Sequence, residues 1–224
     1  MGDFGKSFEL LRDVAAPQWQ ALTGHAFFEE LALGTLPEPA FARHLALEYH
    51  RLVHLARGWA IAVSRSESAE EMQIATLVLS GLVLDEIDLQ AAACLACGLD
   101  DDDLVEAAAA PATCAASQPV LEAAMTGDLA DILAAIVPGM FARAEVGRCL
   151  VEAGAETPFA GWIETFASPE YRATCNDIGT LLDAALEWRL GADPTASPRW
   201  NAVCARFAAA AAGDRLLWDS ALRG

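Results

Sequence analysis

The sequence predicts an all-α protein, and three observations support this class. Apolar residues recur at helical spacing from one end of the chain to the other, and no long stretch alternates with a period of two. The apolar fraction is 54%, and most of the excess over an ordinary protein is alanine, which has the highest helix propensity. Glycine, proline and aspartate stand between the periodic stretches. We therefore expect one helical domain over residues 1–224.

The start and stop signals divide this domain into ten predicted helices. Gly34-Thr35-Leu36-Pro37 ends one helix, and Pro39 suits the first turn of the next. Gly98 closes another, and four aspartates at 100–103 start a short one with carboxylates at its positive end. Further turns fall at 127–128 and 191–194. The predicted helices span 5–22, 24–33, 38–65, 69–97, 101–109, 113–126, 128–153, 157–167, 169–190 and 197–222.

Two of these helices contain stretches that are almost entirely apolar, at 74–84 and 132–141. A helix that is apolar on all sides is usually buried among other helices. Helical bundles with buried central helices commonly hold ligands between facing helices. The sequence therefore predicts a small-molecule pocket in the bundle.

Charge and composition exclude several classes of partner. The net charge is −18, and Lys6 is the single lysine, so the field of the protein would repel nucleic acid and an anionic membrane surface. No uncharged stretch approaches the roughly 18 residues that span a bilayer. Met1–Lys6 lacks the apolar core of a signal peptide. We expect a cytoplasmic protein that binds neither nucleic acid nor membranes.

Two residue pairs could suggest a metal or redox site, but the sequence favours simpler interpretations. Cys94 and Cys97 are spaced as in many zinc and thioredoxin-like sites, yet no second pair and no βαβ setting accompanies them. We interpret them as small apolar groups at a helix end. His50 and His54 are four residues apart on a helix, but no matching Glu-x-x-His motif follows. We expect no metal and no cofactor.

Four segments occur in an order and spacing that resemble the TenA family, which includes thiaminase II and has the haem-oxygenase-like helical fold. They cover almost the whole chain: His25-Ala26-Phe27-Phe28 with Gly34-Thr35-Leu36-Pro37, Phe41 and Glu48-Tyr49; residues 127–138 with Glu145-Val146-Gly147; Trp162-Ile163-Glu164-Thr165-Phe166 with Tyr171; and Asp214-Arg215-Leu216-Leu217-Trp218. The resemblance implies a bundle with one pocket per subunit, a homodimer or homotetramer, and hydrolysis of an aminopyrimidine in thiamine salvage.

The chain departs from the family pattern at its catalytic positions. Gly139 stands where the family's thiaminases carry a cysteine nucleophile, directly after Pro138. Most other polar pocket positions also differ, although Glu86 and Glu145 match family glutamates. The resemblance assigns Glu48 to a pocket aspartate, Arg51, Arg143, Cys114 and Phe159 to pocket tyrosines, and Asp214 to a glutamate.

Each of these groups has two interpretations. Glu48 and Arg51 are three residues apart on one helix face, so Glu48 is either a general base or half of an ion pair. Arg51 and Arg143 are either neutralised by carboxylates, which would fill the pocket, or bind an anionic ligand in an open one. Cys114 is an alternative nucleophile, although no histidine is expected near it.

We predict that the protein is a TenA-like pocket protein, which, if it is an enzyme, hydrolyses a C–N bond without a cysteine. Glu48 and Asp214 would then share acid and base work, while Arg51, Glu86, Cys114, Gly139, Arg143 and Phe159 would line the substrate site. Two alternatives stay open: a non-catalytic binding module for an anionic small molecule, and a regulator that does not contact DNA. The high apolar content also favours a homo-oligomer.

Overall fold

The computed structural model describes residues 4–223. Residues 1–3 and 224 lie outside the described residues. They include both ends of the predicted 1–224 domain and part of the N-terminal segment Met1–Lys6. Within 4–223 the chain is helical and contains no strand, which confirms the predicted class. None of its helices is long and apolar enough to cross a membrane. The helices are α1 (Lys6–Val14), α2 (Ala16–Thr23), α3 (Ala26–Ala32), α4 (Glu38–Arg65), α5 (Ala69–Gly81), α6 (Ile87–Ala96), α7 (Asp101–Ala109), α8 (Pro111–Thr126), α9 (Leu129–Glu152), α10 (Ala160–Ala167), α11 (Pro169–Leu190) and α12 (Trp200–Arg223).

Two predicted helices are divided in the structure. The predicted helix 5–22 breaks at Ala15, which separates α1 from α2. The predicted helix 69–97 contains a π-helical segment, Leu82–Glu86, between α5 and α6. π-helical turns inside α-helices occur frequently at functional sites. A short 3-10 turn, Pro194–Ala196, precedes α12.

Helix starts follow the signals in the sequence. Asp128 accepts hydrogen bonds from the backbone N–H groups of Ala130 and Asp131, while Asp131 accepts one from the backbone N–H of Asp128. This reciprocal capping satisfies N–H groups that the first turn of α9 leaves unpaired. Asp100 and Asp103 form the same arrangement at α7. Because these caps are local, they were recognisable without any tertiary information.

The helix α9 lies at the centre of the bundle. Every residue from Leu129 to Ala144 is buried, and α2, α4, α8, α10, α11 and α12 all pack against the helix. This confirms the predicted burial of 132–141. A buried helix in this position can present side chains to several neighbours at once, and Gly139 and Arg143 are on it.

The second apolar stretch, 74–84, is not buried as predicted. Leu77 is 66% exposed, Leu84 is 69% exposed, and Val83 is also exposed. The helix α5 packs mainly against α4 and α11, so only one side of it is covered. The prediction was wrong because an apolar sequence shows that a helix can be buried, whereas the number of neighbouring helices decides whether it is.

Candidate functional site

A large cavity lies along α4 and has a volume of about 1140 Å³. Its other walls come from α5, the π-helical segment, α6, α10 and the start of α11. Most lining side chains are apolar, and exposed residues such as Leu89 and Cys97 stand where the cavity reaches the surface. A cavity of this size with few polar groups is typical of a small-molecule site.

Glu48 connects two arginines at the polar part of this cavity. Arg51 donates from Nε to Oε2 at 2.8 Å and from Nη2 to Oε1 at 2.7 Å, which makes the pair bidentate. Arg143 donates from Nη2 to Oε2 of Glu48 at 2.7 Å. Its Nη1 donates to the carbonyl oxygen of Gly139 at 2.7 Å. All three side chains are buried, so the charges are paired as burial requires.

Asp214 lies on the other side of Arg51, away from the large cavity. Its Oδ1 is 3.9 Å from Arg51 Nε, and the residue is buried. Asp214 Oδ2 also occupies the space that a β-carbon at position 139 would need, and Arg143 Nη1 would be 3.1 Å from that β-carbon. The volume of the family's cysteine side chain is therefore filled by the Asp214 carboxylate and the Arg143 guanidinium.

The electrostatics separate the two acids of this network. Burial alone would raise the pKa of Glu48, but Arg143 and Arg51 hold it well below the ordinary value. Burial raises the pKa of Asp214, because Arg51 and Arg143 compensate for it only partly. Glu48 is consequently a permanent anion that holds two guanidiniums, which makes it a poor proton acceptor.

Glu86 is the carboxyl group that remains available. It is the last residue of the π-helical segment, it lines the cavity, and within residues 4–223 it has no hydrogen-bond partner and no ion pair. Burial raises its pKa, and Arg51 opposes this shift only partly. Arg51 Nη1 likewise makes no hydrogen bond to the described residues and is not enclosed by them. Next to Glu48 the cavity thus offers the carboxyl group of Glu86 and the Nη1 edge of Arg51.

Aromatic rings surround the cavity towards the start of α4. Phe159 stacks on Phe41 with ring centroids 3.9 Å apart, and Trp162 packs edge-on against Phe166 at 4.7 Å. The Tyr171 hydroxyl donates to the carbonyl oxygen of Met140 at 3.3 Å, and burial raises its pKa. Stacked and edge-on rings of this kind bind flat ligands well.

His44 belongs to the core beside this site, and the sequence did not reveal it. It is fully buried, its ring lies 4.4 Å from that of Trp218, and neither ring nitrogen has a partner among the described residues. Burial lowers its pKa to about 3, and Glu48 opposes that shift only partly. His44 is therefore neutral. The signal in the sequence was its position one turn before Glu48 on α4, where it shares the inner face.

The structure brings most of the predicted site residues together, in two groups. Glu48, Arg51, Glu86 and Phe159 line the large cavity. Gly139, Arg143 and Asp214 form the network behind it.

Cys114 has to be removed from the predicted site. It is exposed on α8, and it does not line the large cavity. Its side chain faces away from α9 because Thr113 and Ala116 take the inward positions of that turn. An exposed thiol in this place cannot act on a ligand held beside Glu48.

The predicted anionic ligand loses much of its support. Glu48 pairs with both guanidiniums, as expected if carboxylates neutralise the two arginines. That alternative also predicted a filled pocket, whereas a large cavity remains beside them. With Asp214 and Glu86 included, three carboxyl groups face two guanidiniums. Glu145 does not pair with Arg143, and one of its oxygens is buried without a partner among residues 4–223. A ligand in the cavity would therefore meet one free guanidinium edge, at Arg51 Nη1, and the free carboxyl group of Glu86.

The histidines and cysteines singled out by spacing have local partners or lie apart. His50 Nε2 is 2.7 Å from the carbonyl oxygen of Leu104, and His54 Nδ1 is 3.0 Å from Arg57 Nη1. Cys94 is buried, and burial raises its pKa to about 11. Over residues 4–223, no three histidine, cysteine or acidic side chains are grouped as a metal would need.

Fold and site together define a haem-oxygenase-like helical protein with a cavity for a small molecule. A model of the TENA/THI-4/PQQC family matches residues 12–191, and the chain belongs to this family. This confirms the resemblance seen in the sequence.

Known relatives agree with this assignment. The crystal structure of a TenA family transcription regulator from Silicibacter sp. TM1040 is 40% identical, covers 99% of this chain and 98% of its own, and has a TM-score of 0.94. An aminopyrimidine aminohydrolase from Halalkalibacterium halodurans is 27% identical over 77% of this chain and 79% of its own. A TenA homologue from P. horikoshii OT3 shares the fold at 19% identity and a TM-score of 0.83, with 97% and 98% of the two chains covered.

Proposed function

We propose that this protein binds a small heteroaromatic amine in the cavity and hydrolyses one of its C–N bonds by carboxylate chemistry, without a cysteine nucleophile. The observation that carries the proposal is Glu86, a half-buried carboxyl group that faces the cavity with no partner among the described residues. A family relative named as an aminopyrimidine aminohydrolase supports the substrate class. The link to thiamine salvage is what the family resemblance implies.

Glu86 and Arg51 have complementary roles in this proposal. Arg51 Nη1 donates a hydrogen bond to a ring nitrogen or carbonyl oxygen of the ligand, while Glu86 accepts one from its amino group. Burial raises the pKa of Glu86 above its ordinary value, which is the direction that favours proton transfer by a carboxyl group. The remaining carboxylates, Glu48 and Asp214, which the sequence suggested as acid and base, hold Arg51 in place.

The proposed reaction consumes one water molecule. Glu86 takes a proton from the water, and the water oxygen bonds to the substrate carbon that carries the nitrogen. The C–N bond then breaks, and Glu86 passes the proton to the departing amine. The aromatic rings of Phe41, Phe159 and Trp162 hold the flat part of the substrate during these steps.

Turnover with a panel of aminopyrimidines and N-acylated aminopyrimidines tests this function, with products detected by mass spectrometry. Glu86→Gln should lower kcat/KM by about 100-fold or more, because general acid–base groups contribute about that much. Asp85→Asn is the matched control, since Asp85 is exposed on the same π-helical segment, and it should stay within about twofold of the parent. Full activity in Glu86→Gln, or activity that Cys114→Ala abolishes, would contradict the proposal.

A second function, binding without turnover, is favoured by the state of Glu48. Its carboxylate accepts three hydrogen bonds from two arginines and is therefore fixed as a counterion. A chain used only for binding, or for regulation as in the relative described as a TenA family transcription regulator, needs nothing more reactive. A thermal shift with an aminopyrimidine that the protein does not convert, even over long incubation, would select this function over hydrolysis.

A further inference from the structure

The cavity is much larger than a single heteroaromatic ring requires. A cavity of about 150 Å³ is enough to hold benzene, whereas this one measures about 1140 Å³. Its wall on α4 includes residues from Phe41 to Trp59. At 1.5 Å rise per residue, these positions are about 27 Å apart along the helix. The cavity is therefore elongated, and a ring alone would leave most of it unfilled.

The buried charged groups lie midway along this length, between an aromatic region towards the start of α4, which Glu38 and Arg43 also line, and an aliphatic region towards its end. Glu48 and Arg51 are in the middle of the α4 wall, and the electrostatic coupling of Arg51 with Glu86 places Glu86 close to them. We call the region towards the start of α4 the aromatic arm (Phe41, Phe159, Trp162 and Phe166). We call the opposite region the aliphatic arm (Leu52, Leu55, Val78 and Leu82).

The hairpin of α4 and α5 builds the aliphatic arm. The two helices run antiparallel because residues 66–68 alone connect them, so Val78 and Leu82 return past the second half of α4. Leu52, Leu55 and Leu82 are buried, and the arm extends about 12 Å from Arg51 to Trp59 at helical rise. The lining of this region carries no charged side chain beyond Arg51 and Glu86 among the described residues. A flexible apolar chain fits such a space, whereas a second charged group does not.

We propose that the ligand carries an extended apolar chain attached near its polar head, and that this chain occupies the aliphatic arm. The inference rests on the function proposed above for the place of the head group between Arg51 and Glu86. The substrate class narrows accordingly to amides or amines that join a small flat head to a chain of several carbons. The chain provides binding energy through buried apolar area.

A series of linear primary carboxamides, from butanamide to decanamide, tests the arm independently of any aminopyrimidine. Their head offers one acceptor to Arg51 and donors to Glu86. In the parent protein, affinity measured by calorimetry should rise about two- to fourfold for each added methylene until the arm is full. An affinity that does not change with chain length would overturn the proposal. This measurement requires no variant.

Val78→Trp and Leu77→Trp make a matched pair of variants. Val78 lines the arm, whereas the neighbouring Leu77 points outward and is 66% exposed. Val78→Trp should abolish the gain from chain length and keep butanamide affinity within about threefold of the parent. Leu77→Trp should follow the parent series. Equal chain-length gains in both variants would also overturn the proposal.

The two proposals fail separately. If the protein hydrolyses aminopyrimidines but its affinity for carboxamides does not rise with chain length, the proposed function stands and the proposed apolar chain of the ligand is rejected. A chain-length gain that Val78→Trp abolishes, without conversion of any aminopyrimidine or amide, would keep the aliphatic arm as a binding site and remove the hydrolysis.

Discussion

The helix α9 and the segment 69–96 have similar apolar sequences but different surroundings. Six helices of the described chain surround α9, and its residues 129–144 are buried without exception. The segment 69–96 is covered on one side only, and Leu77, Leu84, Leu89 and Leu95 are each at least 66% exposed. Its covered side is moreover the wall of a cavity, with Val78 and Leu82 among the lining residues.

The same contrast applies to the acidic groups beside the two regions. Against α9, Glu48 is closed into a network with Arg51 and Arg143. At the π-helical segment, Glu86 faces the open cavity without a partner among residues 4–223. We infer that unfolding costs most where charges are closed into a network, whereas the carboxyl group at the open side is free to meet a ligand. Four experiments test this distinction, and they follow in order of the size of the expected effect.

The largest effect is expected from Glu48→Gln. The amide would remove the negative charge and place an N–H₂ group against a guanidinium. Arg143 would then have no carboxylate partner among the described residues, and Arg51 would keep only Asp214, whose Oδ1 is 3.9 Å from its Nε. We expect a loss of about 3–5 kcal/mol in the free energy of unfolding, measured with urea.

Glu86→Gln is the matched change on the open side. Burial raises the pKa of Glu86, so its ionised form opposes folding at a pH above the ordinary value. The variant should be as stable as the parent or more stable. Equal losses in both variants would remove the distinction between the closed and the open side.

The second-largest loss in the free energy of unfolding is expected from Gly139→Cys, which restores the family's cysteine. Its β-carbon would collide with Asp214 Oδ2 and crowd Arg143 Nη1, so the Asp214 carboxylate would have to move within the buried network. We expect a loss of about 1–3 kcal/mol and no gain in hydrolysis. Gly81→Cys is the control on the open side, since no described atom lies within 4 Å of the position that its β-carbon would take, and it should change stability by less than about 0.5 kcal/mol.

His44 should make the closed side sensitive to acid. Its pKa is about 3 in the folded protein against 6.5 in the unfolded chain, so the unfolded state binds more protons as the pH falls between these values. Stability should therefore fall by about 2 kcal/mol from pH 7 to pH 5 through this residue. His44→Phe should remove that part of the slope, since both ring nitrogens lack partners among the described residues.

The control for this slope is His54→Phe. His54 is partly exposed on the same helix, and burial and Arg57 lower its pKa without enclosing the ring. Its replacement should alter the slope between pH 7 and pH 5 much less. An unchanged slope in His44→Phe would show that His44 does take up a proton in the folded state.

Changes on the exposed face of segment 69–96 should have the smallest effect on the free energy of unfolding. Their expected effect is on the association of subunits. The predicted homo-oligomer would use this face, where Leu77 and Leu84 are more than half exposed. The double variant Leu77→Glu, Leu84→Glu should lower the mass measured by light scattering. Met125→Glu, on an exposed residue of α8, should not. A parent that is monomeric at micromolar concentration would contradict the prediction.

Much of the fold could be predicted from local signals. Helical periodicity, the aspartate caps of α7 and α9 and the glycine and proline turns all act within a few residues, so they appear directly in the sequence. The ordered segments around Phe41, Pro138 and Trp162 similarly predicted the family without tertiary information.

The site could be predicted only in part. Glu48 and Arg51 were recognisable as a pair because they lie one turn apart on α4. That Arg143 reaches the same carboxylate, and that Asp214 fills the place of a residue-139 side chain, depends on contacts across 95 and 75 positions of the chain. The same holds for Cys114, whose exposure follows from the direction in which α8 packs.

Local signals in the sequence predicted most of the helices, the family and most members of the charged network, but not His44. The tertiary structure decided which apolar helix is buried, which carboxyl group stays free and where the cavity extends. The physical reason is the range of the interactions. Helix capping and periodicity act over a few residues, whereas burial and the pKa of Glu86 or His44 depend on every group that surrounds the side chain.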